Sequence, residues 1–298
     1  MTTATAIQEG RDALSESALL VEHWLSTSIE WSQLPTHLAD AAQYGVLGGG
    51  KRLRPALVIQ SCRAVGGHHN ASLPAAAALE LVHCFSLVHD DLPALDDDAL
   101  RRGQPTLHVH AGEPMAILAG DLMLAMAFGL VADSNNTAEV RSQLVSELAG
   151  GTSDMVAGQV YDTLGGLPEE LTPLEQVKLV HRNKTGALIR SACRMGGLCG
   201  DASREELMAL TVYGEAMGLM FQVVDDLLDV TQSAGHVGKA TGKDAACGKR
   251  TYPGVLGEAA CRDEIERLLG EALDAIGILG ASGHPLACIA ELMAIRTR

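Results

Sequence analysis

The chain has 298 residues, a formal net charge of −15, 47% apolar residues and only 3% aromatics. This length and apolar content build a sizeable core, and the Ala, Leu and Met that dominate it favour helix. The acidic balance excludes a nucleic-acid partner, which needs a basic face, but not small phosphorylated ligands, which need only a basic pocket.

The N-terminal stretch MTTATAIQEGRDALSES has neither the basic nor the apolar region of a signal peptide. Residues 5–31 then read as an amphipathic helix and 35–47 as a second one started by Pro35. GGGKRLRP at 48–55 is a glycine-rich basic turn, followed by a helix over 55–65 and the loop GGHHN. A long alanine-rich helix is predicted over 73–91, with Pro74 near its first position. Further helices are predicted over 113–132, 137–162, 174–199, 203–230, 257–278 and 285–296, with SNN at 134–136, GGLPEELTP at 165–173 and the polar stretch 231–253 as loops. The run Met115–Val131 is the most membrane-like, but it is short and carries Asp121, so a buried helix and no stable membrane association are expected. No period-two strand pattern stands out. Seven cysteines without CxxC pairing point to a reducing cytoplasm rather than a disulfide framework. With no linker to divide it, residues 1–298 are expected to form one all-α domain.

Two aspartate clusters carry the chemistry. In DDLLD, Asp225 and Asp229 are one helical turn apart on the same face, a spacing that suits two carboxylates sharing a hard cation. In DDLPALDDDALRRG, Asp90 and Asp96 are six residues apart, and a regular helix would leave them about 120° out of line. Pro93 between them predicts a helix that ends or distorts, letting Asp96 return to the side of Asp90. Each cluster ends a largely apolar helix, and carboxylates at the rim of something buried call for a compensating metal. Bases accompany both: Lys51, Arg52 and Arg54 after three glycines, Arg101 and Arg102 after the first cluster, Lys184 and Thr185 in HRNKTG, and Lys239, Lys243 and Lys249 after the second. Glycine admits close approach of backbone amides to an oxyanion, and Lys and Arg add charge-assisted hydrogen bonds. His83 lies seven residues before Asp90, on the same helix face. Glu80 and His83 make one ExxH, but a di-iron bundle needs two such pairs and two more glutamates, so that reading is rejected.

GGGKRLRP, DDLPALDDDALRRG, GQVYD, KTGALIR, FQVVDDLLD and GKATGKDAACGKRTYP stand in the order and spacing of the isoprenyl diphosphate (polyprenyl) synthases, and the chain most resembles the bacterial farnesyl diphosphate members from about residue 40 to about residue 257. The resemblance implies a helical bundle around a deep central cavity, usually a homodimer, and three Mg²⁺ ions, with Mn²⁺ as a substitute. By motif match, Asp90 and Asp96, with Asp91, take two ions and Asp225 the third, supported by Asp162, Asp226 and Asp229. Arg101, Lys184, Lys239 and Lys249 hold the allylic diphosphate, and Gly50, Lys51, Arg54, His83 and Arg102 the isopentenyl diphosphate. Lys184, Thr185 and Gln222 are the catalytic residues the resemblance implies: Thr185 and Gln222 offer oxygens to the developing allylic cation, and Lys184 acts on the departing diphosphate. Phe85, five residues before Asp90, is expected to stop the growing tail, which implies farnesyl diphosphate from isopentenyl diphosphate with dimethylallyl and geranyl diphosphate. Geranyl or geranylgeranyl diphosphate is the alternative product. A terpene cyclase is a remote alternative, because the second motif is all aspartate.

Overall fold

A computed structural model of the chain describes residues 3–235 and 251–295. The elements in order are α1 Thr3–Thr27, a 3-10 turn Trp31–Gln33, α2 Thr36–Leu47, α3 Leu53–Ala64, α4 His69–Asp90, a ribbon of β1 Leu100–Arg101 and β2 Gln104–Pro105, α5 Leu107–Ala111, α6 Glu113–Ala132 and α7 Ala138–Thr163. There follow α8 Pro173–His181, a π-turn Arg182–Gly186, α9 Ala187–Cys199, α10 Arg204–Gly235, α11 Tyr252–Leu256, α12 Glu258–Ala275, a 3-10 turn Ile276–Gly283 and α13 His284–Ile295.

The bundle is built around α4, which is apolar around most of its circumference and is largely buried. Leu79, Leu81 and Val82 are three successive directions of this helix within four residues, and all are fully buried. It packs against α3, α6 and α9, and one continuous core joins these helices to α1, α10, α12 and α13. Each such leucine contributes about 1.5–3 kcal/mol. Close helix approaches need glycine in places: a Cβ on Gly196 of α9 would lie 2.2 Å from the Val58 carbonyl oxygen of α3.

Several boundaries differ from the sequence reading. Helix α4 begins at His69, so Pro74 lies inside it rather than at its start. The His68 ring accepts from the Asn70 amide at 3.3 Å and opens the helix early, and a proline in the second turn removes only one backbone donor. The expected helix over 174–199 runs through without a break but is widened to a π-turn at Arg182–Gly186. The ribbon is a two-residue hairpin, Leu100 opposite Pro105 and Arg101 opposite Gln104, too short for a period-two signal. The loop expected over 231–253 begins as a continuation of α10, and its residues 236–250 lie outside the described residues. Four helical stretches are long and apolar enough to cross a membrane by length and composition. That of α4 is the bundle's centre, 72% buried. That of α6 is only 33% buried, so the burial expected for Met115–Val131 holds on one face. Ile117 and Leu118 point outward, because nothing in the described chain covers that side.

Candidate active site

Helix α4 ends at Asp90, and the chain then folds back on itself. The Asp96 amide donates to the Asp90 carbonyl at 2.9 Å, and the Asp97 amide to the Leu92 carbonyl at 3.2 Å. Pro93, with no N–H to offer, sits inside this turn. Asp96 is thus returned to Asp90 by a reversal that a regular helix could not make. Burial pushes the Asp90 carboxyl up to about 6; Lys184 and Arg101 oppose the rise, and Asp96 and Asp91 add to it. Asp90 therefore lacks enough cationic compensation from the protein itself, which fits a site that takes cations.

The ribbon aims the two arginines. Its turn, Arg102–Gly103, has φ of 54° and 78°, the left-handed pair of a tight hairpin turn. A non-glycine residue held there stores strain, and Arg102 is held by donating to the Gly49 carbonyl. Gly50 lies against the Arg102 guanidinium, and its φ of 141° is a conformation that side chains rarely adopt, so glycine is required there. Arg101 instead turns to Asp91, its Nε 2.8 Å from both carboxylate oxygens and its Nη2 2.6 Å from Oδ1. Asp91 is buried. The sequence reading grouped it with the metal carboxylates; in the structure it anchors Arg101, because residue 91 points about 100° around the helix from residue 90.

The π-turn places the next group. A Cβ on Gly158 of α7 would lie 2.2 Å from the Lys184 amide nitrogen, so α7 presses on the backbone where the helix widens. π-Bulges of this kind collect at functional sites. Lys184 Nζ meets Asp162 Oδ2 at 2.6 Å. Thr185 Oγ1 donates to Gln222 Oε1 at 3.1 Å, and Gln222 Nε2 donates to Asp226 Oδ1 at 2.8 Å. The other Asp226 oxygen accepts from the Tyr252 amide at 2.9 Å and lies 3.4 Å from His181 Nε2. Asp226 is buried. Expected to support the third ion, it orients Gln222, while Asp225 faces a cavity and Asp229 is exposed.

Two cavities share a wall. The first, about 520 Å³, is bordered by Gly50, Lys51, Arg101, Arg102, Gln222 and Asp225. The second, about 370 Å³, is bordered by Phe85, Asp90, Met155, Val156, Gln159 and Lys184. Arg54, His83, Leu87 and Thr185 border both. Arg54 has a buried Nε with no partner among the described residues, and burial lowers its pKa. His83 is held well below the usual imidazole range by burial and then by Arg54 and Arg102, so it is neutral. An orphaned buried guanidinium nitrogen in a basic cavity fits an anionic ligand. Arg52, by contrast, is structural. It pairs with buried Glu80 at 2.5 Å, which removes Glu80 from any ExxH metal site.

The cation donors are carboxylate oxygens, a hard set that suits Mg²⁺. Among the described residues no three of these aspartates bring ligand atoms within 4.8 Å of one another. Such spacing suits ions held by one or two carboxylates plus substrate phosphates, the usual arrangement for Mg²⁺, rather than a closed protein cage. Lys239 and Lys249 lie outside the described residues. Gln159 was missed: both its amide atoms are buried without a partner at the second cavity. Its place in GQVYD was the available signal. His89 and Tyr252 had none, since their roles depend on contacts with α6 and α10.

Residues 35–276 match the family model for Polyprenyl synthetase. The chain is 42% identical over 274 residues to geranylgeranyl pyrophosphate synthase 11, chloroplastic, of Arabidopsis thaliana, covering 89% of this chain and 76% of that protein. A putative farnesyl-diphosphate synthase from Marinomonas sp. MED121 has a similar structure, with a TM-score of 0.80 at 33% identity over 95% of this chain and 98% of that one. A geranyltransferase from Legionella pneumophila gives 0.84 at 29% identity over 98% and 99%. Fold and likeness together define a trans-prenyltransferase of isoprenoid biosynthesis. The chain belongs to the polyprenyl synthetase family.

Proposed function

We propose that the protein condenses isopentenyl diphosphate with dimethylallyl and then geranyl diphosphate, releasing diphosphate and giving (2E,6E)-farnesyl diphosphate. The observation that carries this reading is the pair of cavities joined through Arg54, His83, Leu87 and Thr185. The basic cavity accepts a diphosphate beside Lys51, Arg54 and Arg102. The apolar one accepts a prenyl tail whose own diphosphate lies between Asp90 and Lys184. Asp90, Asp96, Asp162, Asp225 and Asp229 would hold Mg²⁺ ions, which would supply charge neutralisation of the leaving diphosphate.

The protein's own groups do the rest. Lys184 and Arg101 stabilise the departing diphosphate. Thr185 Oγ1 and Gln222 Oε1 turn oxygen lone pairs toward the allylic cation. Leu87 and Met155 keep water from it. The double bond of isopentenyl diphosphate attacks C1 of the cation, and the proton then lost is taken by the released diphosphate.

Geranylgeranyl diphosphate is the second reading, favoured by the 42% identity to a geranylgeranyl pyrophosphate synthase. The farnesyl reading rests on Phe85, buried at the second cavity with its ring edge-on to His89 at 5.7 Å. The uncovered apolar face of α6 supports a homodimer, and the free, buried described cysteines suit a reducing cytoplasm. One catalytic unit over residues 1–298 is part of the same reading. The test is turnover of isopentenyl diphosphate with dimethylallyl diphosphate, with and without Mg²⁺, and mass analysis of the product. Metal-dependent C15 product is expected. C20 product would select the second reading, and no metal-dependent condensation would overturn both.

A further inference from the structure

Away from both cavities, three side chains with metal-ligating atoms meet where α1 crosses α13. Glu9 comes from α1; His284 and Cys288 come from α13, four residues apart and so on one face. The crossing is close because of Gly10: a Cβ there would lie 2.5 Å from the Cys288 carbonyl oxygen. His284 Nε2 lies 2.6 Å from Glu9 Oε2, and Cys288 Sγ lies 3.4 Å from that nitrogen and 3.6 Å from that oxygen. A tetrahedral Zn²⁺, with bonds of about 2.3 Å to sulfur and about 2.0 Å to nitrogen and oxygen, sets sulfur about 3.5 Å from either and nitrogen about 3.3 Å from oxygen. Both sulfur distances are already in place. Only the nitrogen–oxygen pair must open, by about 0.7 Å, and both side chains are 45% exposed and able to move.

We propose that Glu9, His284 and Cys288 form a second metal site that takes a borderline-soft ion such as Zn²⁺. The donor set decides the class: thiolate and imidazole select zinc-like ions, whereas the carboxylates of the two cavities suit Mg²⁺. Binding replaces the Cys288 thiol proton, which goes to solvent, and leaves His284 neutral with its proton on Nδ1. Without an ion Cys288 stays protonated, since burial and the Glu9 carboxylate push it up to about 11. Glu9 and His284 are 45% exposed, so solvent reaches the site and can supply a water as fourth ligand. The ion ties α1 to α13. Leu14 and Met293, each five residues further along those helices, border the basic cavity, so the clamp braces that wall.

The test is Co²⁺ titration, as a spectroscopic stand-in for Zn²⁺, of the full chain saturated with Mg²⁺. Expected are a near-ultraviolet thiolate-to-cobalt band saturating at one equivalent, its displacement by Zn²⁺, and a raised Tm. Cys288→Ser abolishes the band. Glu9→Gln, on an exposed side chain, keeps it but weakens affinity by on the order of tenfold. Absence of the band in the parent protein, its persistence in Cys288→Ser, or unchanged affinity in Glu9→Gln would each overturn the site.

Discussion

The amide of Asp96 donates to the carbonyl of Asp90 across 2.9 Å. Six residues of sequence are thereby folded into a reversal that sets an exposed carboxylate beside a half-buried one. The consequence is electrostatic. Asp90 is pushed up to about 6, chiefly by burial, with Asp96 adding repulsion. The site is built at a cost to the metal-free fold.

Asp90→Asn removes that cost. Because the folded carboxyl binds its proton more tightly than the unfolded one, its contribution is fully present below the unfolded value and lost as pH rises through about 6. The metal-free variant should exceed the parent by about 1–2 kcal/mol above pH ~7, after discounting for partial exposure, and by almost nothing near pH ~3. Magnesium-dependent turnover should fall by a factor of at least about 10². Thermal melts in chelator across this range check it, and a pH-independent difference refutes it.

Arg52→Met should be severe for a different reason. It strands the Glu80 carboxylate, which is 2% exposed, and breaking a buried pair on one side costs about 3–5 kcal/mol. Glu22, the outer partner of Arg52, is 42% exposed, and Glu22→Gln should cost under about 1 kcal/mol. Denaturant titrations of the two variants give the comparison; equal losses would count against it.

Gly158→Ala should cost about 1–3 kcal/mol and should also move Lys184 off Asp162, since the new methyl meets the Lys184 amide at 2.2 Å. Its kcat should drop more than its melting temperature explains. Gly150, on the same helix, has open space around it, and Gly150→Ala should stabilise by about 0.5–1 kcal/mol at full activity. Full activity in Gly158→Ala would disprove the link.

Phe85→Ala opens the floor of the 370 Å³ cavity. The product should lengthen toward C20, while the cavity left behind costs about 3–5 kcal/mol of stability at most. Mass analysis of products from the purified variant decides it, and an unchanged spectrum would sink the role of Phe85.

Much of this was legible because it is local. Asp225 and Asp229 share a helix face by arithmetic alone. Pro93 announces the break after Asp90, and the basic turn beside three glycines announces an anion. Where the reading went astray, the deciding contact lay elsewhere in the chain. Pro74 looked like a helix start until His68 capped the helix six residues earlier. HRNKTG looked like regular helix until α7 pressed on it through Gly158.

The sequence by itself determined the helical class, the motif order and the charge of each cluster, because periodicity and residue chemistry act over one or two turns. Only the tertiary structure decided which aspartates face the cavities. Asp91 and Asp226 sit next to ligand-like neighbours in sequence, yet they turn inward to Arg101 and to Gln222 and Tyr252. Packing, which no local pattern encodes, chose their direction. It also brought Glu9 to His284 across 275 residues of chain.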